Sequence, residues 1–133
     1  MQHIIIDQPS ITISYHYTHQ WLHTTWRGQH NQESTRASCA LLLDAISQWP
    51  ATKLLVDHSQ VTQADMQFTE WGVAWLHHMY VAGLRCLAWV YATNFSGRQS
   101  ADHMIRLIQR PVIASFDNLQ AAQAWLCQQK ISG

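Results

Sequence analysis

The residues best suited to chemistry lie in one polar stretch, residues 57–65, directly after a short apolar run. Two carboxylates stand at the ends of this stretch, and two hydroxyls lie between them. The pattern predicts a loop that joins the end of a strand to the start of a helix. Ligands of open α/β sheets bind at such strand ends, and a helix N-terminus offers unpaired amides to an anion. The four residues expected to contact a ligand or a partner are Asp57, Ser59, Thr62 and Asp65.

The two carboxylates of this stretch allow two interpretations. An enzyme could use Asp57 and Asp65 for acid–base chemistry if they converged in a pocket with shifted pKa values. The structural alternative is that Asp57 forms a turn at the strand end, while Thr62 and Asp65 have the spacing of a capping box. The chain contains no nucleophile elbow and no phosphate-binding glycine motif. We therefore expect a protein that is not an enzyme.

Nine histidines suggest metal binding, but their spacing argues against it. His77 and His78 are adjacent, whereas ligands on one helix face need a separation of three or four residues. Three others, His16, His19 and His23, surround a predicted hairpin turn. We expect surface or hairpin histidines, no metal site and no cofactor.

Cysteine usage and hydropathy indicate the compartment. The three cysteines each lie in an apolar pattern and are expected to be buried free thiols, which suits a reducing cytosol; they are Cys39, Cys86 and Cys127. The N-terminal residues lack the basic and apolar regions of a signal peptide, and no apolar run reaches the ~18 residues of a membrane span. These features predict a cytoplasmic protein without membrane insertion.

Composition limits the partners that the chain can bind. With 133 residues, we expect a single domain over residues 1–133. Eight basic and eight acidic residues cancel, and charged residues make up only 12%, so no basic patch is available for nucleic acid. Low charge and seven tryptophans favour a homodimer, because aromatic side chains are enriched at interfaces. The tryptophans least expected to be buried in the core are Trp21, Trp49 and Trp89.

Hydrophobic periodicity predicts the elements that carry these residues. Alternation and short apolar runs predict strands at 4–6, 11–17, 21–27, 53–57, 84–92 and 112–116. Helical spacing predicts four helices, the first capped by Asn31 and ended by Pro50, the second ended by Gly83. The third runs over 100–109, and Asp117 with Gln120 begins the fourth. The fold class is α/β, with a mixed sheet, an antiparallel N-terminal hairpin and about four helices packed on it.

Several of these segments together resemble STAS domains, the family of anti-sigma-factor antagonists and of cytoplasmic modules of sulphate transporters. The chain is most similar to small bacterial stand-alone proteins of STAS-like or SpoIIAA-like type and unknown function. The matching residues are Trp26-Arg27-Gly28 at a strand end, Asp57-His58-Ser59-Gln60-Val61 followed by Asp65, the Trp-bearing helix before Gly83, and Phe116-Asp117 followed by Ala121, Ala122, Trp125 and Leu126.

The resemblance implies a STAS-like regulatory or binding module that recognises a protein or a small apolar ligand. One departure matters: the antagonists carry a phosphorylatable serine after the helix-starting aspartate, and Met66 and Gln67 stand there instead. The resemblance thus implies the scaffold without its phosphorylation switch. The alternatives are a carrier of lipids or other hydrophobic molecules and, less favoured, the enzyme using Asp57 and Asp65.

Overall fold

Within residues 2–64, 70–92 and 98–130, which the computed structural model describes, six strands form one sheet. The strands are β1 (Gln2–Asp7), β2 (Ile11–His16), β3 (Trp21–His30), β4 (Lys53–Ala64), β5 (Cys86–Val90) and β6 (Val112–Phe116). The helices are α1 (Gln32–Gln48), α2 (Glu70–Val81), α3 (Arg98–Leu107) and α4 (Leu119–Gln128). Strand order follows chain order: β1, β2 and β3 pair antiparallel, and β3 to β6 pair parallel. The predicted α/β class and mixed sheet are confirmed.

Strand β3 is longer than the sequence predicts. We expected it to end at Gly28, but it continues to His30 and pairs in parallel with β4 throughout. The register shifts on both sides of Arg27 and Gly28, and Gly28 has a φ of +74°. A residue without a Cβ adopts that conformation at little cost, so the strand bends there instead of ending.

Strand β4 also passes its predicted end at Asp57. The main body of the sheet stops where Asp57 pairs with Val90 of β5, but β4 continues to Ala64 along the extended part of β3. Polar side chains are tolerated here because Ser59 and Gln60 are exposed. The prediction of a loop after Asp57 is therefore wrong for residues 58–64. We call this segment, residues 58–64, the β4 extension.

Helices cover both faces of the sheet. Helices α1, α2 and α3 supply apolar side chains to one core, whereas α4 packs on the opposite face against β4, β5 and β6. Asn31 caps α1 as predicted, in a capping box with Ser34. The glycine predicted to end α2, Gly83, follows it with a φ of +121°. Helix α4 is capped by Asn118 and not by Asp117, because the Asn118 side chain accepts the Ala121 N–H at 2.8 Å.

The observed burial contradicts the expectations for three side chains, Trp21, Trp89 and Cys127. Trp21 and Trp89 are buried, since β3 and β5 lie inside the sheet, and Trp49 is half-buried. Trp75 is half-buried and donates its indole N–H to the carbonyl of Cys39. Two cysteines are buried free thiols as predicted, but Cys127 is exposed, because it lies on the solvent side of α4.

Candidate functional site

Two neighbouring residues of β4 define the two sides of the site. Along β4, side chains alternate between the sheet faces, so Leu55 and Asp57 face α4 while Val56 and His58 face the core under α1. Both Asp57 and His58 are buried. They stand where β5 ends and the main body of the sheet stops, while β3 and β4 continue past them. The carboxyl ends of parallel strands are the usual edge for ligand binding in such sheets.

Five rings, that of His58 among them, pack together on the core side, and we call them the indole–imidazole cluster. Its members are Trp26, His30, His58, Trp89 and Tyr91. The ring of Trp26 lies 5.0 Å from that of His30 and 4.7 Å from that of His58, measured between centroids. Trp89 lies 5.6 Å from His58 and 4.8 Å from Tyr91. The cluster is thus a continuous aromatic layer that spans β3, β4 and the carboxyl end of β5.

The protonation state of His58 follows from its contact with Trp89. The indole Nε1–H of Trp89 donates to His58 Nδ1 at 3.1 Å, and an indole nitrogen can only donate. Burial, with a smaller contribution from His30, lowers the pKa of His58 to about 3. The ring is therefore neutral at physiological pH and carries its proton on Nε2. His58 presents a fixed N–H donor on the side away from Trp89.

Three ring nitrogens of the cluster have no hydrogen-bond partner among the described residues: Trp26 Nε1, His30 Nε2 and His58 Nε2. The three side chains are only 2%, 3% and 5% exposed. Two of the atoms are N–H donors. Whether the third atom, His30 Nε2, donates or accepts depends on the tautomer of its ring. That tautomer depends in turn on whether the Ser34 hydroxyl, 3.3 Å from His30 Nδ1, donates to that nitrogen or accepts from it. Unpaired buried polar groups are rare in native proteins. The described residues hold five others outside the cluster, but here three lie on neighbouring rings, which makes the cluster a candidate site.

Tyr91 connects the cluster to helix α3. Its hydroxyl donates to Asp102 Oδ1, and the hydroxyl of Ser115 donates to the same oxygen at 3.1 Å. Asp102 lies on α3 and Ser115 on β6. This network fixes the Tyr91 ring and attaches α3 to the carboxyl ends of the strands.

A polar surface lies on the opposite face, beside α4. The rings of His16 and His23 are 5.1 Å apart, and Arg27 donates to the hydroxyl of Thr12 at 2.9 Å. Burial, and then His16, lower the pKa of His23 to about 4, although Asp57 acts to raise it. The pKa of His16 is also lowered, first by burial and then by His19. These imidazoles are neutral donors or acceptors at physiological pH.

The sequence-predicted site residues do not form one group in the described part of the chain. Asp57 is buried, and its Oδ1 accepts the backbone N–H of Ser59 at 2.9 Å. Ser59 and Thr62 lie exposed on the β4 extension, so Thr62 does not cap a helix. Asp65, like Met66 and Gln67, lies outside the described residues.

Sequence reasoning missed the indole–imidazole cluster. It assigned histidines to the surface or the hairpin, whereas His30 and His58 are buried. A usable signal exists in β4, because Leu54, Val56 and His58 continue one alternation past Asp57. The prediction of a loop at that point concealed it.

The described part of the chain supplies no arrangement for a metal ion, since no group of three or more His, Cys, Asp or Glu is suitably placed. Among the helices in the same ranges, none combines the length and apolarity needed to cross a bilayer.

Comparison with known proteins supports the fold. No protein-family model and no curated protein matches the chain. Among solved structures, it is similar to an uncharacterized DUF3478-family protein with a SpoIIAA-like fold from Shewanella loihica PV-4, at 16% identity and a TM-score of 0.53, covering 96% of this chain and 93% of that one. It is also similar to the anti-sigma factor antagonist SpoIIAA in its unphosphorylated form, at 12% identity and a TM-score of 0.46, covering 93% and 94%. The first likeness, together with the mixed six-stranded sheet, shows a SpoIIAA-like fold.

Proposed function

From this SpoIIAA-like fold, we propose that the protein is a non-catalytic binding module whose indole–imidazole cluster holds a small, largely apolar molecule. One observation carries the proposal: Trp26 Nε1, His30 Nε2 and His58 Nε2 are buried together without partners among the described residues. A buried polar group without a hydrogen bond costs about 1–3 kcal/mol. A bound molecule that satisfies these atoms would offset that cost.

The character of the surrounding side chains supports an apolar ligand. Indole and phenol rings dominate the cluster, and apolar and aromatic side chains with a few placed polar groups are typical of small-molecule sites. The position beside the carboxyl end of β5, where the main body of the parallel sheet stops, supports the same interpretation. A carrier of lipids or other hydrophobic molecules is the nearest alternative, and the same aromatic layer would serve it.

Recognition of a protein partner is proposed for a different surface. Ser59 and Thr62 are exposed on the β4 extension, where hydroxyls can reach a partner. Buried Asp57 supports this surface from within by accepting the backbone N–H of Ser59. An enzyme that pairs Asp57 with Asp65 is disfavoured, because a buried carboxylate already engaged with its own strand is poorly placed for proton transfer to a substrate.

Nuclear magnetic resonance tests the small-molecule proposal directly. We expect millimolar acetophenone, a small aromatic ketone, to shift the indole N–H resonances of Trp26 and Trp89 in ¹H–¹⁵N spectra, because both rings belong to the cluster. Trp49 serves as the matched control, since its ring stacks on His3 away from the cluster. The variants Trp26→Phe, Trp89→Phe and Trp49→Phe assign the three resonances. Equal shifts of all three, or none, would contradict the proposal.

A further inference from the structure

The donors of the cluster narrow the class of ligand. We infer that the bound molecule is uncharged and presents a carbonyl-type oxygen acceptor to the N–H groups of Trp26 and His58, with its apolar body against the rings. This inference rests on the proposed function, and it adds the chemistry of the head group.

The first step is the direction of the hydrogen bonds. Trp26 Nε1 can only donate. His58 Nε2 must donate too, because Nδ1 already accepts from Trp89 at 3.1 Å. Neither donor has a partner among the described residues, and the two rings are 4.7 Å apart between centroids. A carbonyl oxygen has two lone pairs and so matches two donors on neighbouring rings. An amine head group would instead place its own N–H groups against these donors.

The second step is the charge. Burial lowers the pKa of His58 to about 3, so that ring supplies no positive charge at neutral pH. Arg27, the residue after Trp26, lies on the other face of the sheet and donates to Thr12. A carboxylate in the cluster would lose its hydration without meeting a cation from either side chain, and burying an unpaired charge is costly. An uncharged carbonyl avoids that cost.

Trp26 and His58 occupy these positions because of strand geometry. Trp26 follows Leu22 and Thr24 on the core side of β3, and His58 follows Leu54 and Val56 on the core side of β4. The two strands are parallel neighbours, so their core-facing side chains meet at the same edge. The proposed acceptor would therefore lie against two neighbouring strands of the sheet.

Three probes of similar size and shape test the head group: acetophenone, ethylbenzene and benzoate. Resonance titrations at pH 7 should give acetophenone an affinity about tenfold above that of ethylbenzene, the loss expected for one or two hydrogen bonds. Benzoate should bind more weakly than acetophenone. Trp26→Phe keeps an aromatic ring and removes the donor, so the preference for acetophenone over ethylbenzene should fall by at least threefold. Trp49→Phe should leave that preference unchanged.

The outcomes separate the two proposals. If none of the three probes shifts the Trp26 resonance, the proposed function is wrong. If ethylbenzene binds as tightly as acetophenone, or benzoate binds more tightly, the head-group inference is wrong and the apolar site stands. The comparison of probes on the wild-type protein decides this even if Trp26→Phe fails to fold.

Discussion

At the scale of single residues, the main feature is two histidines, His58 and His23, that burial keeps neutral at physiological pH. His58 and His23 lie on opposite faces of the sheet, and burial lowers the pKa of each, to about 3 and about 4. A neutral imidazole is a versatile hydrogen-bonding group, but it makes the folded state sensitive to acid. Cys39 is the contrasting case, because burial raises the pKa of its thiol to about 12 and makes it a poor nucleophile.

Acid should destabilise the protein partly through His23. Its pKa falls from 6.5 in the unfolded chain to about 4 when folded, so the unfolded chain binds more protons between those pH values. Stability is therefore full above pH 6.5 and is lost as the pH falls towards 4, by roughly 3 kcal/mol for this residue. Urea unfolding at pH 7, 6, 5 and 4 should show a shallower loss for His23→Phe than for the wild type.

The control for this measurement is His77→Gln, because His77 is exposed on α2 and its replacement should leave the pH dependence unchanged. An equally steep loss of stability in His23→Phe and in the wild type would show that His23 does not carry the effect. His58 also lowers the stability as the pH falls. Because its pKa in the folded protein is about 3, its loss of stability continues down to about pH 3.

At the scale of elements, the observed fold differs from the expected one in where the strands and helices begin and end. The β4 extension exists because β3 bends at Gly28 and provides a backbone partner as far as His30. It carries the exposed Ser59 and Thr62 beyond the body of the sheet. Helix caps are equally local, and the choice of Asn118 over Asp117 moves the start of α4 by one residue.

The cap of α4 gives a prediction about stability. Asn118→Ala should lower the free energy of unfolding by about 1 kcal/mol, because the Ala121 N–H loses its acceptor at the helix N-terminus. Gln120→Ala is the matched control: the residue is exposed on the first turn of the same helix, and we expect a change within about 0.5 kcal/mol. Urea unfolding at pH 7 compares the two. A larger loss in Gln120→Ala than in Asn118→Ala would restore the capping box first expected from Asp117 and Gln120.

At the scale of the whole molecule, scarce charge and exposed apolar side chains bear on association. Formal charge is zero, so little repulsion separates copies of the chain. Among the exposed large apolar side chains of the described residues, which also include Ile4 on β1, three lie at the ends of neighbouring elements: Val81 at 70%, Leu107 at 65% and Val112 at 49%. The first two end α2 and α3, and Val112 begins β6. All three therefore lie towards the amino ends of the parallel strands, opposite the indole–imidazole cluster.

We propose a homodimer on these grounds, most simply with two-fold symmetry. Light scattering at micromolar concentration should give a mass near twice 15.3 kDa, with roughly 1,200–2,000 Å² buried in total. Replacing Val81 and Leu107 together by aspartate should shift the mass towards the monomer, because it removes apolar area and adds charge. Val73→Asp, at a less exposed apolar position on α2, is the control. A wild-type mass that stays at 15.3 kDa across a dilution series would contradict the dimer.

Local periodicity in the sequence by itself determined the order and type of the elements and the fold class, but not where β3 and β4 end. The alternation of Ile11 and Ile13, the cap at Asn31 and the stop at Gly83 each depend on neighbours a few residues away. The sequence therefore sufficed for the mixed sheet and its helices. Tertiary structure alone decided the site, because Trp26 and His58 meet only through the register of two parallel strands. It also decided that residues 58–64 form a strand, since the hydrogen bonds that hold them extended come from β3, a distant part of the chain.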